Sequence, residues 1–184
     1  MDRREKISYL NLGILGNGLT GFIFTFLVTL LSGCSFSETY RTSAEYCFIP
    51  FQTIGRQIPV VETILNGEKA WFIIDTGASF TLLNASEAGR FGFFVREHPH
   101  HHKTEVNGLG GNLILHETFS CRLDLGPLEI KHFPWKSGNI DLLSTRIMKN
   151  EKIRIAGILG SDLLSRYGIN VNYDTQTISY RMAK

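Results

Sequence analysis

The stretch Ile58-Pro-Val-Val-Glu-Thr-Ile-Leu65-Asn66-Gly67-Glu68-Lys-Ala-Trp71-Phe-Ile-Ile-Asp75-Thr76-Gly77-Ala78-Ser79 decides the fold. Its first part is rich in β-branched side chains and reads as a strand. Asn66-Gly67 favours the positive φ angles of a two-residue hairpin turn. Glu68–Ile74 then reads as the return strand. Trp71 to Ile74 are all apolar, and they lead into an acid, a hydroxyl and a glycine. A carboxylate at the end of a buried strand is costly unless it is hydrogen-bonded or partly neutralised. Taken alone, Asp75 also fits a turn residue bonding its own backbone.

Working outward, short strand patterns fall at residues 80–83, 113–115, 118–125, 128–133 and 153–159. Asn84 is placed to cap a short helix over residues 85–90, ended by Gly92. A second short helix suits residues 161–167, with Gly168 to end it. Val106-Asn-Gly-Leu-Gly-Gly111 is a glycine-rich turn between extended segments, and Gly126-Pro127 is another turn. Residues 169–173 and 177–182 pair as a closing hairpin around Asp174-Thr175-Gln176. Many short strands joined by glycine-bearing turns predict an all-β barrel or sandwich, interrupted by two short helices. Residues 131–152 find no place in this pattern beyond an insertion near the edge of a dimer.

Composition narrows the classes. Of 184 residues, 43% are apolar and 20% charged, which is a globular balance. Lys plus Arg is 19 and Asp plus Glu is 17, so a net charge of +2 gives no electrostatic case for nucleic acid. Only 5 Pro and no Gly-X-Y period exclude a collagen-like chain. With 3 Cys, a disulfide-stapled miniprotein is excluded too. No internal repeat supports a solenoid.

The N-terminal residues read as an address. Arg3, Arg4 and Lys6 precede a segment from Ile7 to Cys34 that holds no charged residue. Leu10 to Leu31 is 22 residues, long enough to span a bilayer as a helix, which needs about 20. A basic head before an apolar run is also the pattern of a secretory signal. The run ends Leu31-Ser32-Gly33-Cys34, which resembles the lipobox of bacterial lipoproteins. That resemblance implies a signal peptide over residues 1–33, a lipidated Cys34, and a tether over residues 34–56 before a folded domain at 57–184. An uncleaved signal-anchor helix is the alternative. Either reading places the domain in the bacterial cell envelope, membrane-anchored and facing the periplasm or the exterior. Ser35 after the Cys leans toward the outer membrane. In such a compartment Cys47 and Cys121 form a disulfide or stay as two buried thiols, and sequence leaves both open.

Phe72-Ile-Ile-Asp75-Thr76-Gly77-Ala78-Ser79 resembles the active-site segment of retropepsin-like aspartic proteases. Ala156-Gly-Ile-Leu-Gly160-Ser-Asp162-Leu-Leu is similar to the family's Ile-Leu-Gly segment, and an Asp at the position of Asp162 is common in its bacterial branch. Ile169-Asn-Val-Asn-Tyr-Asp174 with Thr177-Ile-Ser-Tyr180 matches its closing hairpin. The resemblance implies a retropepsin-like acid-protease barrel with a short C-terminal helix. It also implies an aspartic endopeptidase that hydrolyses peptide bonds without metal or other cofactor.

Such hydrolysis needs an activated water and an acid for the leaving group. Two neighbouring carboxylates cannot both ionise readily, so a pair supplies base and acid at once. This chain has one Asp-Thr-Gly, since Asp174-Thr175 runs into Gln176. The expectation is a homodimer with Asp75, Thr76 and Gly77 contributed by each copy. Thr76 would tie the two loops together, Gly77 would let substrate approach, and Ser79 would hydrogen-bond Asp75. Ala78, Ser79, Gly108, Leu109, Gly110 and Ile158 are the expected substrate contacts, with residues 106–111 as a flap that closes over the peptide. Asp162 is expected to sit structurally at a helix start. The cluster His98, His100, His101 and His102 lacks companion ligands at metal spacing and reads as a solvated loop. The alternative function is a catalytically silent peptide-binding or dimerising module of the same fold. A chance motif on an unrelated β-barrel is the remoter one.

Overall fold

The computed structural model describes residues 40–43, 45–55, 57–96, 104–108 and 111–182. The signal segment with Cys34, the clustered histidines at 98–102, and Leu109 and Gly110 lie outside the described residues.

The hairpin forms as the sequence dictates. β4 (Ile58–Leu65) and β5 (Glu68–Ile74) pair antiparallel with Leu65 opposite Glu68. Asn66 and Gly67 take φ of 51° and 90° between them. Asn66 adds three side-chain bonds: its amide donates to Phe91 O and Ser120 O, and its oxygen accepts from Arg122 N. This turn therefore also fixes two distant loops.

Around the hairpin the other strands complete two sheets. The small one has the order β1 (Arg41–Thr42), β2 (Tyr46–Pro50), β15 (Thr177–Arg181), β14 (Asn170–Asn172). The large one runs β11 (Leu128–Ile130), β10 (Leu123–Leu125), β4, β5, β13 (Ile155–Leu159), β6 (Leu82–Asn84), β12 (Lys136–Gly138), β9 (Gly111–Phe119), β7 (Phe94–Arg96). β3 (Gln52–Ile54) joins it at β4, and β8 (Thr104–Gly108) at β9. The closing hairpin β14–β15 and the β8–β9 hairpin, with Gly108 opposite Gly111, are where the sequence places them.

The central strands are buried on both faces, which is why they read as continuous apolar runs rather than alternating ones. Val61, Phe72, Ile74, Leu83, Ala156 and Leu159 face one core, closed by β2, β15 and two short helices, α1 (Ala88–Phe91) and α3 (Ser161–Arg166). Val60, Ile73, Leu82 and Ile155 face a second, closed by α2 (Asp141–Glu151) and Leu115 of β9. A fully buried Phe72 or Ile155 contributes roughly 1.5–3 kcal/mol through its removal from water.

Four expectations are corrected. The tether expected up to residue 56 holds strands among its described residues: β2 places Cys47 and Ile49 in the core against Ile178 and Tyr180. The unassigned segment holds β12 and the 11-residue α2; Ile140 just before the helix and Leu143 and Ile147 within it recur at helical spacing and pack inward. Asn84 does not cap the helix after it; a 3-10 turn, Ala85–Glu87, intervenes, and the buried Asn84 amide donates to Asp141 instead. The single strand expected over residues 118–125 breaks at Ser120, whose φ is 59°.

Cys47 and Cys121 are free, buried thiols. Burial pushes the Cys121 thiol up from 9.0 to about 12. The unfolded chain gives up that proton near the ordinary value, so this contribution to stability is intact below pH 9.0 and is lost as pH rises toward about 12. We expect the urea midpoint to decline over that window, with part of the slope removed in Cys121→Val. Neither thiol should react with an aromatic disulfide reagent until the protein is unfolded.

Candidate active site

β5 runs parallel to β13, with Ile73 opposite Ile158 and Ile74 opposite Leu159. The ladder continues one step beyond the strand, where Asp75 N donates to Leu159 O at 3.0 Å. The chain then turns sharply. Ala78 N donates to Asp75 O at 3.1 Å, and Asp75 Oδ1 accepts from Gly77 N at 2.9 Å and Ala78 N at 3.2 Å. This is an Asx-type turn closed by the acid's own side chain. Asp75 is half-buried, and its Oδ2 has no partner among the described residues. One carboxylate oxygen is thus oriented by the backbone of its own loop. Thr76 and Gly77 are exposed at the tip, and the Thr76 hydroxyl makes no hydrogen bond among the described residues.

After the turn the chain enters β6, which pairs antiparallel with the other edge of β13. The loop from Asp75 to Thr81 therefore straddles the end of β13, and the crossing leaves no room for side chains. A Cβ on Gly160 would lie 2.5 Å from the Phe80 carbonyl carbon and oxygen. A Cβ on Gly157 would lie 2.3 Å from Leu82 O and 2.5 Å from the Phe72 ring. Both glycines of Gly157-Ile-Leu-Gly160 are required by these contacts.

The loop is pinned from below. Ser161 donates to Ala78 O through its N at 2.8 Å and its Oγ at 2.9 Å. Asp162 Oδ1 accepts from Thr81 N and Thr81 Oγ1, each at 2.8 Å, and from Leu163 N at 2.7 Å. Thr81 Oγ1 in turn accepts from Gly160 N at 3.0 Å. Asp162 thus has a structural position at the start of α3, with the Thr81 hydroxyl as its partner.

Ser79 is corrected. It is exposed and does not bond Asp75, because the Asx-type turn closes at Ala78, before it. Ile158 is half-buried between Ile73 and Leu82. Gly108 lies at the end of β8 in the β8–β9 hairpin. Thr81 and Ser161 were not flagged by the sequence reading. Their signal is a hydroxyl on each side of the glycine crossing, but only the fold makes them neighbours.

A family model described as "Aspartyl protease" matches residues 61–163, more than half of the chain. The chain belongs to the aspartyl protease family. Among solved structures, this family member is similar to a retropepsin-like aspartic protease from Rickettsia conorii. The two are 21% identical over 78% of this chain and 99% of that one, with a TM-score of 0.48. It is also similar to the EIAV protease complexed with the inhibitor HBY-793, at 20% identity over 64% of this chain and 94% of that one, with a TM-score of 0.44. No curated protein matches the chain. The family match covers both blocks of the crossing, from within β4 to the first three residues of α3.

Thr81→Val removes the hydroxyl's donation to Asp162 and its acceptance from Gly160 N while keeping the volume. We expect a loss of about 1–3 kcal/mol in urea denaturation, because the Gly160 N–H is left without an acceptor and Asp162 Oδ1 loses one of its three donors. Any peptidase activity should fall with it, since the Asp75 loop loses its anchor.

Proposed function

We propose that this aspartyl protease is a dimeric endopeptidase in which Asp75 from each of two copies forms the catalytic dyad. The observation that carries the reading is the arrangement of Asp75. One oxygen is held by Gly77 N and Ala78 N, the other is unpartnered among the described residues, and the loop tip is exposed. An exposed tip can meet a second copy of itself across a two-fold axis. Two such carboxylates share one proton, so one accepts a proton from water while the other donates to the leaving amine. The Thr76 hydroxyls are then available to cross between subunits. The β8–β9 hairpin, which ends β8 at Gly108, closes over an extended peptide. Ala78, Ser79 and Ile158 line the bound strand.

The experiment is cleavage of an unbiased peptide library by the domain from Ser35 onward, read by mass spectrometry over a range of protein concentrations. Asp75→Asn should lower the rate by about three orders of magnitude or more while leaving the protein folded. Wild-type rate should rise faster than linearly with concentration while dimers are scarce. Full activity in Asp75→Asn, or a strictly monomeric active species in sedimentation, contradicts the proposal.

The same proposal places the enzyme on a membrane of the bacterial cell envelope through lipid on Cys34. It is supported by the basic head, the uncharged run and Leu31-Ser32-Gly33-Cys34. Cys34→Ser should prevent lipid labelling and processing after Gly33. Unchanged processing and labelling in that variant contradicts the anchor.

A further inference from the structure

Three neighbouring strands set one row of side chains beside the Asp75 loop. Ile158 of β13 is opposite Leu82 of β6, and Leu82 is opposite Lys136 of β12. Residues opposite each other in a sheet share a face, so Ile158, Leu82 and Lys136 form one row. The row starts from the expected substrate contact Ile158. Phe80, the last residue of the loop before Thr81, is 38% exposed, and the Lys136 ammonium lies 5.7 Å from the centre of its ring. Lys136 is half-buried and has no ion pair among the described residues. Glu117, opposite Lys136 on β9, is held by Arg96 at 3.2 Å.

A half-buried ammonium resting on an aromatic face is partly stripped of water and only partly compensated by the ring. It therefore favours any carboxylate brought next to it. Leu82 is buried in the core beneath the row, and the half-buried Ile158 accepts the methylenes of such a side chain. On the proposed protease reading, which this inference deepens, a peptide laid along the Asp75 loop passes this corner. We propose that Lys136, with Phe80 beside it, is a specificity-determining residue that selects an Asp or Glu side chain in the substrate close to the scissile bond.

The test uses matched peptides carrying Glu, Gln or Lys at each position around an identified cleavage site. In the wild type, Glu should be preferred over Gln at one position by roughly five- to tenfold in kcat/KM, as for a partly desolvated charge pair. The preference should shrink as salt is raised. Lys136→Met, which keeps the stem, should erase it, and Lys136→Glu should turn it toward Lys. Charge indifference at every position in the wild type, or an unchanged preference in both variants, overturns the inference. A second series, one extended peptide with Glu, Gln or Lys scanned through every position, is chosen without reference to cleavage and titrated onto folded Asp75→Asn by fluorescence anisotropy. Tighter binding of the Glu peptide that disappears on adding Lys136→Met supports Lys136 even if the chain cleaves nothing. Equal binding of Glu, Gln and Lys peptides overturns it. Cleavage that persists in Asp75→Asn sinks the protease reading alone.

Discussion

The chain has to pass over the end of β13 at a point where Gly160 would drive any Cβ to within 2.5 Å of the Phe80 backbone. Everything at the site follows from this crossing. It sets β5 and β6 on opposite edges of β13, one parallel and one antiparallel. The seven residues between those strands must then bridge the strand end in one tight loop. An aspartate at the start of that loop closes its own turn, and a threonine at its end reaches the helix below. The acid is held because the loop has no slack.

Rigidity here comes from hydrogen bonds of short reach rather than from ion pairs. Ala78 O receives two donors from Ser161, and Asp162 Oδ1 receives three from Thr81 and Leu163. A carboxylate saturated with donors is compensated for its burial, which suits Asp162 to a structural position. Asp75 differs in its partners, because its Oδ1 accepts only from two backbone N–H groups of its own turn, whereas Asp162 Oδ1 also bonds the Thr81 hydroxyl of a distant loop.

Legibility followed the range of the interactions. Asn66-Gly67 specifies its turn locally, and the run Trp71 to Gly77 announces a buried strand ending in an acid, so both were readable. Thr81 and Asp162 are 81 residues apart, and no local pattern links them. β2 escaped notice although Cys47 and Ile49 alternate with exposed Tyr46 and Phe48. Two aromatic residues on the outer face blur the period-2 signal, and Pro50 cuts it short. α2 was missed for a related reason. Leu142 and Met148 are exposed among the inward Ile140, Leu143 and Ile147, which weakens the amphipathic contrast. Asn84 fits a helix cap by type, yet the buried pairing with Asp141 won. That carboxyl is held below its ordinary range by its bonds from Ser86 and Asn84.

The central claim is that one chain supplies half of a catalytic pair. Subunit mixing tests it most directly. Folded Asp75→Asn protein is titrated into wild type at constant total concentration, and peptide cleavage is followed after exchange. A dyad shared between copies predicts activity that falls as the square of the wild-type fraction, because every mixed dimer has lost one carboxylate. Activity that falls in simple proportion to the wild-type fraction would mean each chain works alone, and would contradict the account.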